Sequence, residues 1–243
     1  MYSAESEFYR RENIPFPSIN LSESPDAIHV RALMPGVRAS HLQLTLGEQA
    51  LIIEGELPPL PGRYYRQERF SGPFRRVVML SAPARRDAAT VFLRNGVLEV
   101  SLPKQPAGRP QPFRSAAGQP GARAQNPVQR CRIRPAADIV ERPDGILALV
   151  NLPGVAPEDL LVETDHRHLC IWGARRGSGC DPRGASVLAL EFVNREYEIK
   201  IALSPAQDIE NIAARLRNGV LSVLLPRRRA PVPRAIPVSA DED

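Results

Sequence analysis

The stretch LRNGVLEVSLP at residues 93–103 returns almost unchanged as LRNGVLSVLLP at residues 216–226. The Asn-Gly pair in each copy is the preferred pair for a tight hairpin turn, because both residues tolerate a positive φ. Short apolar runs flank the pair on both sides, as they do in strands. The stretch therefore predicts a β-hairpin that occurs twice in the chain.

A second stretch repeats in the same order and extends the duplication. Residues 25–37 read PDAIHVRALMPGV, and residues 143–155, at an offset of 118, read PDGILALVNLPGV. The hairpin stretches lie at an offset of 123, so the second copy carries five extra residues, which fall between Gly173 and Glu191. A single change of offset inside a Gly-rich segment indicates a loop insertion in a duplicated domain.

Short strand patterns fill the rest of each copy. Leu42, Leu44 and Leu46 alternate with polar residues, which is typical of a half-buried strand. The apolar runs at 51–53 and 77–80 predict inner strands. No window has a sustained period of 3.6 residues, and 25 prolines disfavour long helices. The predicted fold class is all-β, with two tandem immunoglobulin-like antiparallel β-sandwiches joined by a Pro-rich linker.

Composition predicts five regions along the 243 residues. Between the copies the chain is rich in proline and arginine and contains no acidic residue, which is typical of a linker. The regions are a short N-terminal arm (1–17), a first domain (18–104), a linker (105–135), a second domain (136–227) and a C-terminal tail (228–243).

Charge and cysteine content limit the possible partners and compartment. The net charge is +5, but no nucleic-acid motif accompanies it, so no nucleic-acid partner is predicted. No stretch approaches the ~20 apolar residues of a membrane span, so no membrane partner is predicted either. Three cysteines are too few for a disulfide framework, and residues 1–11 are charged throughout, unlike a secretory signal. Together these features predict a cytoplasmic protein.

No catalytic motif is present, so the chain is predicted not to be an enzyme and to need no cofactor. It contains no P-loop, no G-x-G-x-x-G, no G-x-S-x-G and no C-x-x-C. His166, His168 and Cys170 alternate on one predicted strand, with Cys180 as the obvious fourth ligand for a metal. Ordinary sheet and surface residues are the default interpretation of this pattern, and no metal is predicted.

Taken together, the ordered motifs resemble those of the small heat-shock protein (Hsp20/alpha-crystallin) family over about three quarters of the chain. That family's signature is an L-P-G-V turn, a G-x-F-x-R segment, and N-G-V-L ahead of L-P. The first copy supplies residues 34–37, 72–76, 95–98 and 102–104, and the second supplies 152–155, 218–221 and 225–226.

The resemblance implies an ATP-independent holdase chaperone that binds partly unfolded client proteins and prevents their aggregation. A p23-like co-chaperone or scaffold that binds one specific partner is the alternative. The resemblance also implies self-association into a dimer or small oligomer, including the possibility of a pseudo-dimer within one chain.

The tail sequence Ile236-Pro237-Val238 resembles the I-x-I/V peptide with which this family's tails anchor in an edge groove of a neighbouring sandwich. Alternate side chains of an extended peptide point the same way, so the two aliphatic residues can fill adjacent pockets. By the family pattern, the groove candidates are Leu44, Val91 and Leu93 in the first domain and Val162, Ala214 and Leu216 in the second.

The two copies differ at the positions that the family uses for dimers. Arg76 is the arginine of G-x-F-x-R, which family members place in interface salt bridges, whereas Ile199 stands at the aligned position. Residues 64–69 resemble the strand that bacterial-type members exchange between partners. The counterpart of this segment in the second copy, residues 186–191, is apolar. We therefore expect that the two copies do not dimerise in the same way: the first domain keeps the usual dimer contact, and the second docks against it or against another chain. The dimer-interface candidates are Arg76, Tyr64, Tyr65, Arg66 and Glu68.

Overall fold

A computed structural model describes residues 16–105, 131–165, 167–176, 185–193 and 195–228, which form seventeen strands. The first eight strands are β1 (Ser18–Glu23), β2 (Ala27–Leu33), β3 (Leu42–Leu46), β4 (Ala50–Leu57), β5 (Arg63–Arg66), β6 (Gly72–Met79), β7 (Thr90–Arg94) and β8 (Val97–Pro103). The others are β9 (Cys131–Ile133), β10 (Ala137–Arg142), β11 (Gly145–Asn151), β12 (Leu160–Thr164), β13 (His168–Ala174), β14 (Ser186–Leu190), β15 (Arg195–Ala202), β16 (Ala213–Arg217) and β17 (Val220–Pro226).

The strands form two β-sandwiches in tandem, which confirms the predicted fold class. Helical structure in the described parts of the chain is limited to 3-10 turns of three residues. None of the helices found there has the length and apolar character needed to cross a membrane.

The first sandwich packs the sheet β3-β4-β6 against the sheet β14-β1-β2-β8-β7. Its core follows the alternation seen in the sequence. Ile28, Val30 and Ala32 of β2 are fully buried, whereas His29 and Arg31 point away from the core. Strand β8 contributes further buried side chains through the same period of two.

The second sandwich repeats this arrangement with the sheets β12-β13-β15-β9 and β16-β17-β11-β10-β5. Its own hydrophobic core includes the buried side chains of Val150, Leu169, Ile171, Val223 and Leu225. Each sandwich therefore buries its own core, as independent domains do.

The Asn-Gly pairs adopt the backbone that the hairpin prediction requires. The φ angles are +47° at Asn95 and +68° at Gly96, and +50° at Asn218 and +68° at Gly219. The strands on either side pair in antiparallel register, β7 with β8 and β16 with β17. Both predicted hairpins form.

The structure departs from the predicted segments in three places. Residues 131–133, placed in the linker, form strand β9, which pairs in parallel with β15. The run 77–80 does not belong to an inner strand: β6 lies at the edge of its sheet in the described part of the chain, and the Met79 side chain is 63% exposed. Phe16, placed in the arm, stacks on Phe70 at a centroid distance of 4.2 Å and packs against the first core.

Candidate functional site

Each sandwich receives one strand from the other. Strand β5 of the first domain pairs with β10 of the second, with Tyr64 opposite Val140. Strand β14 of the second domain pairs with β1 of the first, with Leu190 opposite Asn20. The two exchanges are reciprocal, so the chain forms a pseudo-dimer with itself.

The backbone contacts of the two exchanges match. Asp138 Oδ1 accepts hydrogen bonds from the backbone N–H groups of Glu68 (2.9 Å) and Arg69 (3.0 Å). In the other exchange, Asn20 Oδ1 accepts hydrogen bonds from the backbone N–H groups of Glu191 (2.9 Å) and Phe192 (3.0 Å). By the offsets of 118 and 123, these residues occupy equivalent positions in the two copies.

The glutamates of the exchanged segments also act alike. Glu68 Oε2 accepts a hydrogen bond from the backbone N–H of Ala137 at 3.1 Å, and Glu191 Oε2 accepts one from that of Ile19 at 2.7 Å. The second domain does dock against the first, but the expectation that the two copies use different contacts is wrong for the backbone. Strand pairing uses main-chain groups, which the divergent side chains of residues 186–191 do not alter.

The five dimer-interface candidates all lie where the first domain meets the second domain of the same chain. Arg76 forms an ion pair with Glu191, and the Tyr65 hydroxyl donates a hydrogen bond to Glu141 Oε2 at 2.9 Å. The remaining candidates are Tyr64 and Arg66, which pair with β10, and Glu68, which also forms an ion pair with Arg134 at 2.9 Å.

The Asn-Gly turns meet each other between the domains, a contact that the sequence analysis missed. The Gly36 N–H donates a hydrogen bond to the Asn218 carbonyl, and the Gly154 N–H donates one to the Asn95 carbonyl, both at 2.8 Å. A Cβ on Gly219 would lie 2.5 Å from the Asn95 carbonyl oxygen. The two turns are therefore in backbone contact, and no local signal in either hairpin could have shown it.

Two buried arginines at the interface were also missed. The Arg175 guanidinium lies 5.0 Å from the centroid of the Phe192 ring and donates a hydrogen bond to the Val193 carbonyl. Burial lowers the pKa of Arg175. Arg69 lies against Asp138, with the Nη1 to Oδ2 distance 3.7 Å. Burial lowers the pKa of Arg69, and the Asp138 carboxylate opposes that shift.

The groove candidates lie on edge strands of the two sheets in each sandwich. In the first domain, β3 and β7 are edge strands; Leu44 and Leu93 are half-buried against the core, and Val91 is 45% exposed. In the second domain, β12 and β16 take these places; Val162 and Leu216 are half-buried and Ala214 is exposed. The apolar positions thus lie along sheet edges. The anchor Ile236-Pro237-Val238 lies outside the described residues.

The candidate metal ligands are divided between described and undescribed residues. His166 and Cys180 lie outside the described residues. His168 Nδ1 lies 3.3 Å from Asp165 Oδ2, while the Cys170 thiol is free and buried. In the described parts of the chain, no group of three or more His, Cys, Asp or Glu side chains could hold a metal ion.

Several edge strands present large apolar side chains to solvent. Val77 and Met79 project from β6, and Val91 and Phe92 from β7. The exchanged strand β14 exposes Val187, Leu188 and Leu190. Strand β5, its counterpart, reads Arg-Tyr-Tyr-Arg instead. The two exchanged strands therefore offer different outer edges, one apolar and one basic and aromatic.

Comparison with known proteins places the chain in a family. The Hsp20/alpha crystallin family model matches twice, at residues 20–115 and 138–239. A 21.9 kDa heat shock protein of Oryza sativa subsp. japonica is 32% identical over 181 residues, which cover 67% of this chain and 81% of that protein. A 17.7 kDa class II heat shock protein of Arabidopsis thaliana is 27% identical over 99 residues, which cover 40% of this chain and 64% of that protein.

Among solved structures, heat shock protein 16.0 from Schizosaccharomyces pombe is 27% identical with a TM-score of 0.35, covering 44% of this chain and all of that one. The family model, by contrast, matches most of this chain, in two copies that coincide with the two sandwiches. The chain belongs to the Hsp20/alpha-crystallin family of small heat-shock proteins, with two alpha-crystallin domains in tandem.

Proposed function

We propose that this protein is an ATP-independent holdase chaperone, which binds partly unfolded proteins and prevents their aggregation. The observation that carries the proposal is the exposure of apolar side chains on two edge strands, Val91 and Phe92 on β7 and Leu188 and Leu190 on β14. An edge strand offers unpaired backbone groups beside these side chains, which suits an extended apolar segment of a client. Membership of the small heat-shock family supports the same function.

Binding of this kind does not require a deep pocket. Micromolar affinity corresponds to about −8 kcal/mol. At ~25 cal/mol per Å², that is a few hundred Å² of apolar burial beyond the costs of association. Several shallow sites on one molecule or assembly can supply it together. The proposal includes no catalytic step, no cofactor and no nucleotide.

Self-association belongs to the same proposal. The tail anchor Ile236-Pro237-Val238 would occupy an edge groove of another copy, with Ile236 and Val238 filling neighbouring apolar positions. A cytoplasmic location is also proposed, and the free thiol of Cys170 fits a reducing compartment.

The test is a light-scattering assay with heat-labile enzymes of unrelated fold, without ATP. We expect the protein to suppress their aggregation at near-stoichiometric ratios. The double variant Val91→Ser and Phe92→Ser should suppress less, while Thr90→Ser, on the same exposed strand, should match the parent protein. Unchanged aggregation with the parent protein would contradict the holdase proposal. Suppression limited to a single client would instead favour the p23-like alternative.

A further inference from the structure

The interface between the two domains contains a buried ion pair whose members come from different domains. Arg69 of the first domain faces Asp138 of the second, and their side chains are 9% and 8% exposed. Arg69 Nε also donates a hydrogen bond to Asn151 Oδ1 at 2.7 Å. A buried guanidinium requires such partners, because an unpaired charge in the interior is strongly unfavourable.

The equivalent positions in the other exchange carry no charge. At the offset of 118 Asn20 corresponds to Asp138, and at the offset of 123 Phe192 corresponds to Arg69. Asn20 accepts the same two backbone hydrogen bonds as Asp138, so the strand contacts are conserved while the charges are not. Each domain therefore carries one member of the buried pair, Arg69 in the first and Asp138 in the second.

From this asymmetry we infer that strand exchange is heterotypic: a first domain pairs with a second domain, from its own chain or another copy, and not with another first domain. Two first domains would set each Arg69 against Asn20 and Leu33, where no carboxylate is present. Two second domains would set Phe192, with the Arg175 guanidinium stacked on it, against Asp138 in the place of Arg69. Both homotypic pairs would lose the Arg69–Asp138 ion pair.

The other ion pairs of the interface do not discriminate. Glu191 pairs with Arg76 of the first domain, and Glu68 pairs with Arg134 of the second. The first domain supplies Arg76 and the second supplies Arg134 to the glutamate of the strand segment that it receives. This glutamate would therefore form an ion pair with an arginine in every pairing of domains. Arg69 and Asp138 therefore determine which domains pair, and the hydrogen bond from Arg69 to Asn151 stabilises the same arrangement.

The experiment uses the full chain with a protease site introduced within residues 106–130. The folded protein is cut, unfolded in urea and refolded, so that the pairs form again, and the complexes are weighed by native mass spectrometry. Random pairing would make half of the complexes heterotypic. Converting two heterotypic complexes into the two homotypic kinds breaks two ion pairs. A penalty of about a hundred-fold on that exchange, which is the cost of breaking a single buried pair, already makes about nine complexes in ten heterotypic, so we expect at least that fraction. A heterotypic fraction of about one half, as random pairing gives, would overturn the inference.

Two variants identify the cause. Arg69→Phe combined with Asp138→Asn copies the other exchange and should move the heterotypic fraction toward one half. Arg134→Gln removes a positive charge from the same interface at a side chain that is 52% exposed, and should leave that fraction unchanged.

The intact chain provides a second measurement that does not depend on refolding of the cut halves. Urea unfolding of Arg69→Gln, Asp138→Asn and the double variant gives a double-mutant cycle. We expect a coupling of at least about ten-fold in the unfolding equilibrium constant. If the effects of the two substitutions on the free energy of unfolding are additive, the inference is overturned, just as it is by random pairing of the cut halves.

Discussion

Replacing Gly219 with alanine should force apart the two hairpin turns that meet between the domains. A Cβ at this position would lie 2.5 Å from the Asn95 carbonyl oxygen and 3.0 Å from the Gly96 Cα. Both neighbours are backbone atoms and cannot rotate away, so the domains themselves must move. That movement would stretch the two inter-domain hydrogen bonds made by Gly36 and Gly154.

The expected magnitude combines three contributions. Alanine at a φ of +68° costs about 1–2 kcal/mol. Weakening two hydrogen bonds adds about 1 kcal/mol each. The free energy of unfolding should therefore fall by about 3–4 kcal/mol. At an m-value of about 3 kcal/mol per M, this lowers the urea midpoint by about 1 M. Gly72 is the control for steric contact, because a Cβ there would meet nothing within 4 Å. Its φ of +109° lies outside the left-handed region that alanine tolerates, so Gly72→Ala should cost backbone strain alone, about 1–3 kcal/mol.

The assay is urea unfolding followed by the fluorescence of Trp172, the single tryptophan, which lies on β13 of the second domain. Far-ultraviolet circular dichroism follows both domains together. We expect Gly219→Ala to have the lower midpoint of the two variants. Equal midpoints for Gly219→Ala and Gly72→Ala would refute the reasoning that the turns are in tight contact.

Three further predictions concern the core, the interface and the response to acid. Ile53→Ala empties a fully buried site and should lower the free energy of unfolding by about 3 kcal/mol in urea titrations. Glu191→Gln loses the ion pair with Arg76 and should cost about 1 kcal/mol in the same measurement. The hydrogen bond from Lys104 lowers the pKa of Glu23 below its ordinary 4.5, so this carboxylate stabilises the fold above that pH and the stabilisation is lost as pH falls. Urea midpoints between pH 7 and pH 3 should fall less steeply for Glu23→Gln than for the parent protein.

The hairpins and the repeat were predictable because their signals are local. Asn-Gly between two apolar runs favours a positive φ at both residues, and the alternation in β2 distinguishes core from surface without further information. Strand β9 was missed for the converse reason. Three residues are too few to show a period, and they form a strand only because the edge of β15 is available beside them.

The interface residues were partly predictable. Family resemblance directed attention to Arg76 and Glu68, and both contact the other domain. Arg69 was passed over because nothing near it in the sequence marks it as buried; its partner Asp138 lies 69 residues further along the chain. Such an ion pair exists only after both domains have folded and come together.

The repeated stretch at residues 93–103 and 216–226 determined, by itself, that the chain folds as two copies of one sandwich. Turn chemistry and hydrophobic period act within a few residues, so the sequence alone predicts them. Only the tertiary structure decided that β5 and β14 cross to the opposite domain. Backbone groups pair with any strand of suitable geometry, and which strand is within reach depends on how the two domains meet.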